Sequence, residues 1–192
     1  MSTQVKPILT SEQYLEIERA AESKSEYFHG RMFAMSGGSL NHARLVRNLI
    51  VSLGAQLRGR RCEVAANDLR LRVSPEGLYT YPDIVVFRGP PQFADDRTDT
   101  IIDATVIVEV LSPSTEDYDR GFKFEQYRRL PSLRDYLVLA QDRVHLEYAA
   151  RQRDDSWLLR ETSDLDASIQ LASIECGLSL ADAYRSVQFE TQ

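Results

Sequence analysis

Hydrophobic and polar positions along this chain change period several times, and each change marks an element. Thr10 and Gln13 stand at capping-box spacing, which satisfies two free backbone N–H groups at a helix start. Tyr14, Ile17 and Ala21 follow on one helical face, so the pattern predicts a first helix from Thr10. Residues 26–36 read as two strand-like runs around His29-Gly30, a loop suited to a tight hairpin because glycine takes positive φ freely. Gly37-Gly38-Ser39 breaks the chain, and Ser39 can cap a helix running to about Leu57. Val46, Leu49, Ile50, Leu53 and Leu57 share one stripe of that helix, with Arg44, Arg47 and Arg58 on the opposite side. Strands are predicted over 62–66, 69–73 and 81–87, with a turn at Pro75-Glu76-Gly77 and a loop over 89–103. Residues 104–111, ATVIVEVL, are almost continuously apolar, as a strand buried on both faces requires. A loop over 112–117 leads to a helix from about Asp119 to Leu130, stopped by Pro131. Three more strands follow over 135–140, 143–149 and 157–160. This order predicts an α/β or α+β fold, a mixed β-sheet flanked by helices. It forms one domain: an N-terminal helix and hairpin, a core over about 39–150, then C-terminal strands and a tail.

Composition narrows the function classes. The 192 residues are 43% hydrophobic and 27% charged, a globular mix that excludes a disordered chain, a collagen-like fibre and a disulfide scaffold. With 23 basic and 29 acidic residues the net charge is −6, which argues against a non-specific nucleic-acid binder. An anionic partner must therefore meet a local patch or a bound cation. Residues 41–61 carry five arginines and no acid, whereas 92–119 carry eight acids and one arginine. Cys62 and Cys176 need no pairing and read as reduced thiols, which fits a cytoplasmic location. No apolar run approaches the ~20 residues of a membrane helix. The N-terminus also lacks a signal-peptide pattern. Cys and His do not cluster at zinc spacing, and Ser114 lacks the glycine-elbow context of a serine hydrolase.

The candidate chemistry lies where polar residues interrupt apolar runs. Glu109 breaks VIVEVL, where an ionised carboxylate is costly unless paired or metal-bound. Asp83 follows Pro82 and precedes IVVF, although aspartate is depleted in strands. Each alone is also compatible with a strand-end or arginine-paired residue. If the two strands are neighbours, two carboxylates meet, repel, and one pKa rises. A divalent cation relieves this, and hard oxygen ligands favour Mg2+ or Mn2+. Lys123 shares a helix face with Asp119, Tyr127 and Leu130, so it either points inward or snorkels to water. An inward ammonium could steady a phosphate near the two acids. His42, one turn before Val46, is a core-edge residue or approaches the same place.

YPDIVVF, VIVEVLSPST and DRGFKFEQYRRLPSLRDYLVL, in that order, resemble the Uma-type family of restriction-like endonucleases in the PD-(D/E)xK nuclease superfamily. SEYFHGRMFAMSGGSLNHARLVRNL extends the likeness, which spans most of residues 10–140. The resemblance implies a restriction-endonuclease-like core and metal-assisted hydrolysis of phosphodiester bonds in DNA. It makes Asp83 and Glu109 the motif acids, holding Mg2+ (or Mn2+) with the backbone carbonyl of Val110. Leu111 occupies the place of the usual motif lysine, and Lys123 fits a lysine moved onto the following helix. Glu26 is implied as a supporting ligand, and Gln126 and Tyr127 as groups orienting Lys123 or a phosphate. His42 belongs to the likeness through Asn41-His42. Arg44, Arg47 and Arg58 are the candidate DNA contacts, or else a solvated face balancing the acids. By analogy with nucleases that cut both strands a homodimer is expected, with Val51, on the arginine side of the long helix, as a subunit contact. The alternative is a nuclease-fold module that binds nucleic acid or protein without cutting.

Overall fold

A computed structural model describes residues 8–112 and 116–189. Local signals act as expected at the N-terminus. Helix α1 (Ser11–Ala20) carries the capping box, with Gln13 N donating to Thr10 Oγ1 at 3.2 Å and Thr10 N to Gln13 Oε1 at 3.0 Å. Its buried face differs from the predicted one. Tyr14, Leu15 and Glu18 are buried, while Ile17 is 46% exposed and Ala21 lies past the helix end. The helix is rotated because Glu18 is held inside by Ser25 N (2.8 Å) and Tyr81 OH (2.9 Å). Strands β1 (Ser25–Phe28) and β2 (Arg31–Ala34) form the hairpin, with His29 (φ 43°) and Gly30 (φ 83°) both left-handed, as a tight primed turn demands. Helix α2 (Leu40–Leu57) starts at Ser39, whose side chain accepts from His42 N at 3.1 Å. It buries Leu45, Val46, Leu49, Leu53 and Leu57.

Strands β3 (Cys62–Ala66) and β4 (Arg70–Arg72) follow as expected, but the predicted strand 81–87 is divided. β5 (Tyr79–Thr80) joins one sheet and β6 (Ile84–Arg88) another. Pro82 sits at the crossing, where its missing N–H would leave a gap in either ladder. Asp83 is thereby placed at the mouth between the two sheets. β7 (Thr100–Ile101) lies inside the predicted loop 89–103 and pairs parallel with β4. β8 (Val106–Leu111) is buried throughout, sending Val106, Val108 and Val110 to one face and Ile107 and Leu111 to the other. Residues 113–115, in the predicted loop that holds Ser114, lie outside the described residues.

The predicted helix 119–130 is a π-helical turn, Tyr118–Lys123, running into the short α3 (Phe124–Tyr127). β9 (Asp135–Ala140) follows Pro131, then β10 (Leu146–Arg151) and β11 (Trp157–Thr162). β10 begins later than predicted because residues 141–144 make the reversal closed by Ala140 N donating to His145 O at 3.0 Å. The C-terminal β12 (Ser168–Leu171), β13 (Cys176–Ser179) and α4 (Leu180–Ala183) pack on the α2 side. The main sheet runs β11-β10-β9-β8-β6-β3, with β8 and β9 parallel and its other neighbours antiparallel. A second sheet runs β2-β1-β5-β4-β7. One core layer lies between the main sheet and α2, and a second lies under Tyr127, Leu130 and Tyr136. The fold is thus a mixed α/β arrangement flanked by helices. Cys62 and Cys176 are free thiols.

Candidate active site

Register brings the two anomalous acids together. Ile84 pairs with Val108 in the antiparallel β6–β8 ladder, so Asp83 stands opposite Glu109 on one face. The two are cross-linked through the backbone. Val110 N donates to Asp83 Oδ2 at 2.7 Å, and Asp83 N donates to Glu109 Oε2 at 3.3 Å. Within a strand the N–H and C=O of one residue emerge on the same edge, so the Val110 carbonyl also faces the Asp83 side.

Lys123 closes the site from the π-helical turn. Its Nζ lies 3.2 Å from Glu109 Oε1, 3.1 Å from Glu26 Oε1 and 3.1 Å from Asp119 Oδ1. Tyr127 OH donates to Glu109 Oε1 at 2.7 Å, and Tyr118 OH to Glu26 Oε2 at 2.9 Å; Thr80 Oγ1 also donates to Glu26 Oε1. On the other side, His42 Nε2 lies 3.1 Å from Asp83 Oδ1. Asp83, Glu109, Lys123, Glu26, Tyr127 and His42 therefore line or adjoin one cleft of about 610 Å³.

Other expected site residues are not gathered there. Gln126 is buried beside Tyr127, yet no hydrogen bond links it to Lys123, Glu26, Asp83, Glu109 or Asp119. Arg44 donates to Asn41 Oδ1 at 3.3 Å, and Arg47 to Asn48 Oδ1 at 2.9 Å. Arg47 borders a groove that adjoins the cleft at Gly38, His42 and Asn67. Arg58 is the exposed C-cap of α2, about 24 Å of helical rise from His42. Asp119, Tyr118 and Thr80 went unassigned from the sequence. Asp119 had a readable signal, since it lies one turn before Lys123; Thr80 and Tyr118 had none, since they reach Glu26 from distant segments.

The electrostatics follow from burial. Burial pushes Glu109 up to about 8; Lys123 opposes this, and Asp119 and Asp83 add to it. Burial works against the charged form of Lys123, but Glu109 above all, with Tyr127, Glu26 and Asp119, holds it well above the ordinary lysine range. Burial also opposes a charged His42, and the hydrogen bond and charge of Asp83 more than offset it, so its pKa is raised. Three carboxyl groups (Glu26, Glu109, Asp119) thus surround the Lys123 ammonium, and a fourth, Asp83, sits beside Glu109 against His42, so acids outnumber cations in this low-dielectric cleft. Among the described residues no three acidic, His or Cys side chains form a ready cation cage. Two facing carboxylates and a strand carbonyl nonetheless suit a hard cation such as Mg2+, which keeps several waters of its own. Such an ion would offset the crowding of acids that, with burial, raises Glu109.

Paired acids on two neighbouring interior strands, beside a buried lysine, are thus set on a mixed α/β scaffold. The chain matches the Uma2 family, described as "Putative restriction endonuclease", over residues 11–183, and it belongs to that family. Two uncharacterized proteins of Synechocystis sp. (strain PCC 6803) are similar along their lengths. One is 36% identical over 185 residues, 95% of each chain; the other is 34% identical over 165 residues, 86% of this chain and 93% of the relative. A crystal structure described as "a putative nuclease belonging to DUF820" from Anabaena variabilis superposes with a TM-score of 0.76. It covers 94% of this chain and 99% of its own at 16% identity, a likeness of fold. No helix among the described residues is long and apolar enough to cross a membrane.

Proposed function

We propose that the protein is a Mg2+- or Mn2+-dependent endonuclease that hydrolyses phosphodiester bonds in DNA. The observation that carries this reading is the meeting of Asp83 and Glu109 with Lys123 3.2 Å from Glu109. Asp83, Glu109 and the Val110 carbonyl would hold the cation. The chemistry supplied by such a cation would be a lowered pKa of a bound water and an offset of phosphate charge. Lys123 stays an ammonium, so it serves as a donor and a positive charge, not as a base. Its carboxylate partners Glu26 and Asp119 hold it against Glu109, so it is positioned before substrate arrives. Tyr127 fixes the Glu109 rotamer, and His42 fixes Asp83. Arg47, on the rim of the adjoining groove, is the arginine best placed to meet a DNA phosphate, with Arg44 and Arg58 on the same helix.

The test is incubation with supercoiled, linear duplex and single-stranded DNA in Mg2+ or Mn2+. Wild type is expected to cut, Asp83→Asn and Glu109→Gln to abolish cutting, and Lys123→Ala to slow it by about 10²–10³-fold. Binding of DNA with no cleavage in either cation would overturn the enzyme in favour of a binding module. Cleavage unchanged in Lys123→Ala would remove Lys123 from the mechanism.

A further inference from the structure

The main sheet ends in β11, and half of that strand's backbone is unused. In the β10–β9 ladder Ala140 N donates to His145 O and Arg151 N to Arg134 O, so odd-numbered β10 residues face β9. Even-numbered residues therefore face β11, which Gln152 N donating to Ser156 O at 2.8 Å bears out. The pairings Ala150↔Leu158, Tyr148↔Arg160 and Leu146↔Thr162 are then the hydrogen-bonded ones. Strand alternation leaves the N–H and C=O groups of Trp157, Leu159 and Glu161 pointing outward. Among the described residues nothing pairs with that edge.

Open edges are ordinarily guarded by proline, lysine, bulges or a covering element. β11 reads WLLRET, with no proline or lysine, and its two charged residues, Arg160 and Glu161, are of opposite sign, so a second antiparallel copy need not set like charges opposite. It instead exposes Leu158 (43%) and Leu159 (66%) on opposite faces. We propose that β11 is a self-association edge, on which a second copy of this chain pairs antiparallel about a two-fold axis centred on Leu159.

The register follows from the outward groups and the charges. A two-fold at Leu159 pairs Leu159 with Leu159 of the second copy and Trp157 with Glu161, so all three outward residues bond. On the other face it sets Leu158 against Arg160, whose aliphatic stem covers the leucine. A two-fold at Arg160 would set two arginines directly opposite, a destabilising like-charge pair. A two-fold at Leu158 would force Glu161 to pair with Asp155, which is in a left-handed turn conformation (φ 63°) outside the strand. Only the Leu159 axis satisfies the edge without either conflict, and it joins the two main sheets into one.

The mass in solution tests this directly, by light scattering after gel filtration. Wild type is expected at twice the chain mass. Leu159→Lys, which sets two ammonium groups across the axis, is expected at the single mass with an unchanged far-ultraviolet circular dichroism spectrum. Leu159→Cys is expected to form a disulfide-linked dimer on mild oxidation. Opposed Cα atoms across a hydrogen-bonded antiparallel pair lie about 5.5 Å apart, within disulfide reach. Wild type, with its own Cys62 and Cys176, should not crosslink, nor should Arg160→Cys, whose two copies do not face each other. A wild type at single mass at its highest soluble concentration overturns the proposal. So does a dimer that survives Leu159→Lys while Leu159→Cys stays unlinked. None of these readouts uses the nuclease reaction.

Discussion

Glu109 concentrates both the chemistry and a folding penalty. Its carboxyl is carried into a strand buried on every position, where desolvation favours the protonated form. Lys123 and Tyr127 lower that penalty with a charge and a hydroxyl donor on the same oxygen, and the other oxygen takes the Asp83 N–H. Elsewhere a depressed acid contributes in the opposite sense. Asp99 accepts two hydrogen bonds from Arg19, at 2.7 and 2.8 Å, and these first of all hold its carboxyl at about 2, below the ordinary 3.8. Its folded pKa lies below the unfolded one, so its stabilisation is present above 3.8 and is lost as pH falls through about 2. Urea unfolding followed from pH 4 down to pH 2 should show a steep loss in wild type and a shallower one in Asp99→Asn. Equal slopes would mean that Arg19 does not ionise Asp99 in solution.

At the scale of elements, the legible parts were those built from neighbours in sequence. The α1 capping box, the His29-Gly30 turn and the Ser39 cap of α2 are all settled within four residues, and each formed as read. The hairpin turn carries its own test. Gly30 has φ 83°, and a Cβ there would lie 2.0 Å from Ile8 Cγ2. Gly30→Ala should therefore destabilise the fold by at least the ~1–2 kcal/mol of left-handed strain, read as a lower midpoint in urea. An unchanged midpoint would show that the turn relaxes. Elements that needed distant partners were illegible. β7 is two residues long and exists because β4, thirty positions earlier, offers an edge. The split of 81–87 at Pro82 likewise depends on two sheets competing for one segment.

For the molecule as a whole, charge is unevenly placed. The cleft holds Glu26, Asp83, Glu109 and Asp119 against Lys123, within a chain of net charge −6. An ion that binds the folded cleft and not the unfolded chain must stabilise the fold, by about 2.7 kcal/mol at a hundredfold excess over its Kd. Mn2+ should thus raise the thermal midpoint of wild type and leave that of Asp83→Asn in place. An equal shift in both would locate the bound ion elsewhere. Dimerisation through β11 would add a concentration dependence to the same midpoint, separable because Leu159→Lys removes it and keeps the cleft.

Reading residues in order was enough to single out Asp83, Glu109 and Lys123, because each violates the apolar pattern around it and burial makes such violations expensive. It also placed Glu26 and His42 near them through the family likeness. It could not show that Thr80 and Tyr118 reach Glu26, that Asp119 shares the ammonium, or that Arg58 stands far from the cleft. Those facts follow from strand register, sheet order and the direction of α2. Such features arise from contacts between segments tens of residues apart, whose free energies no local window contains.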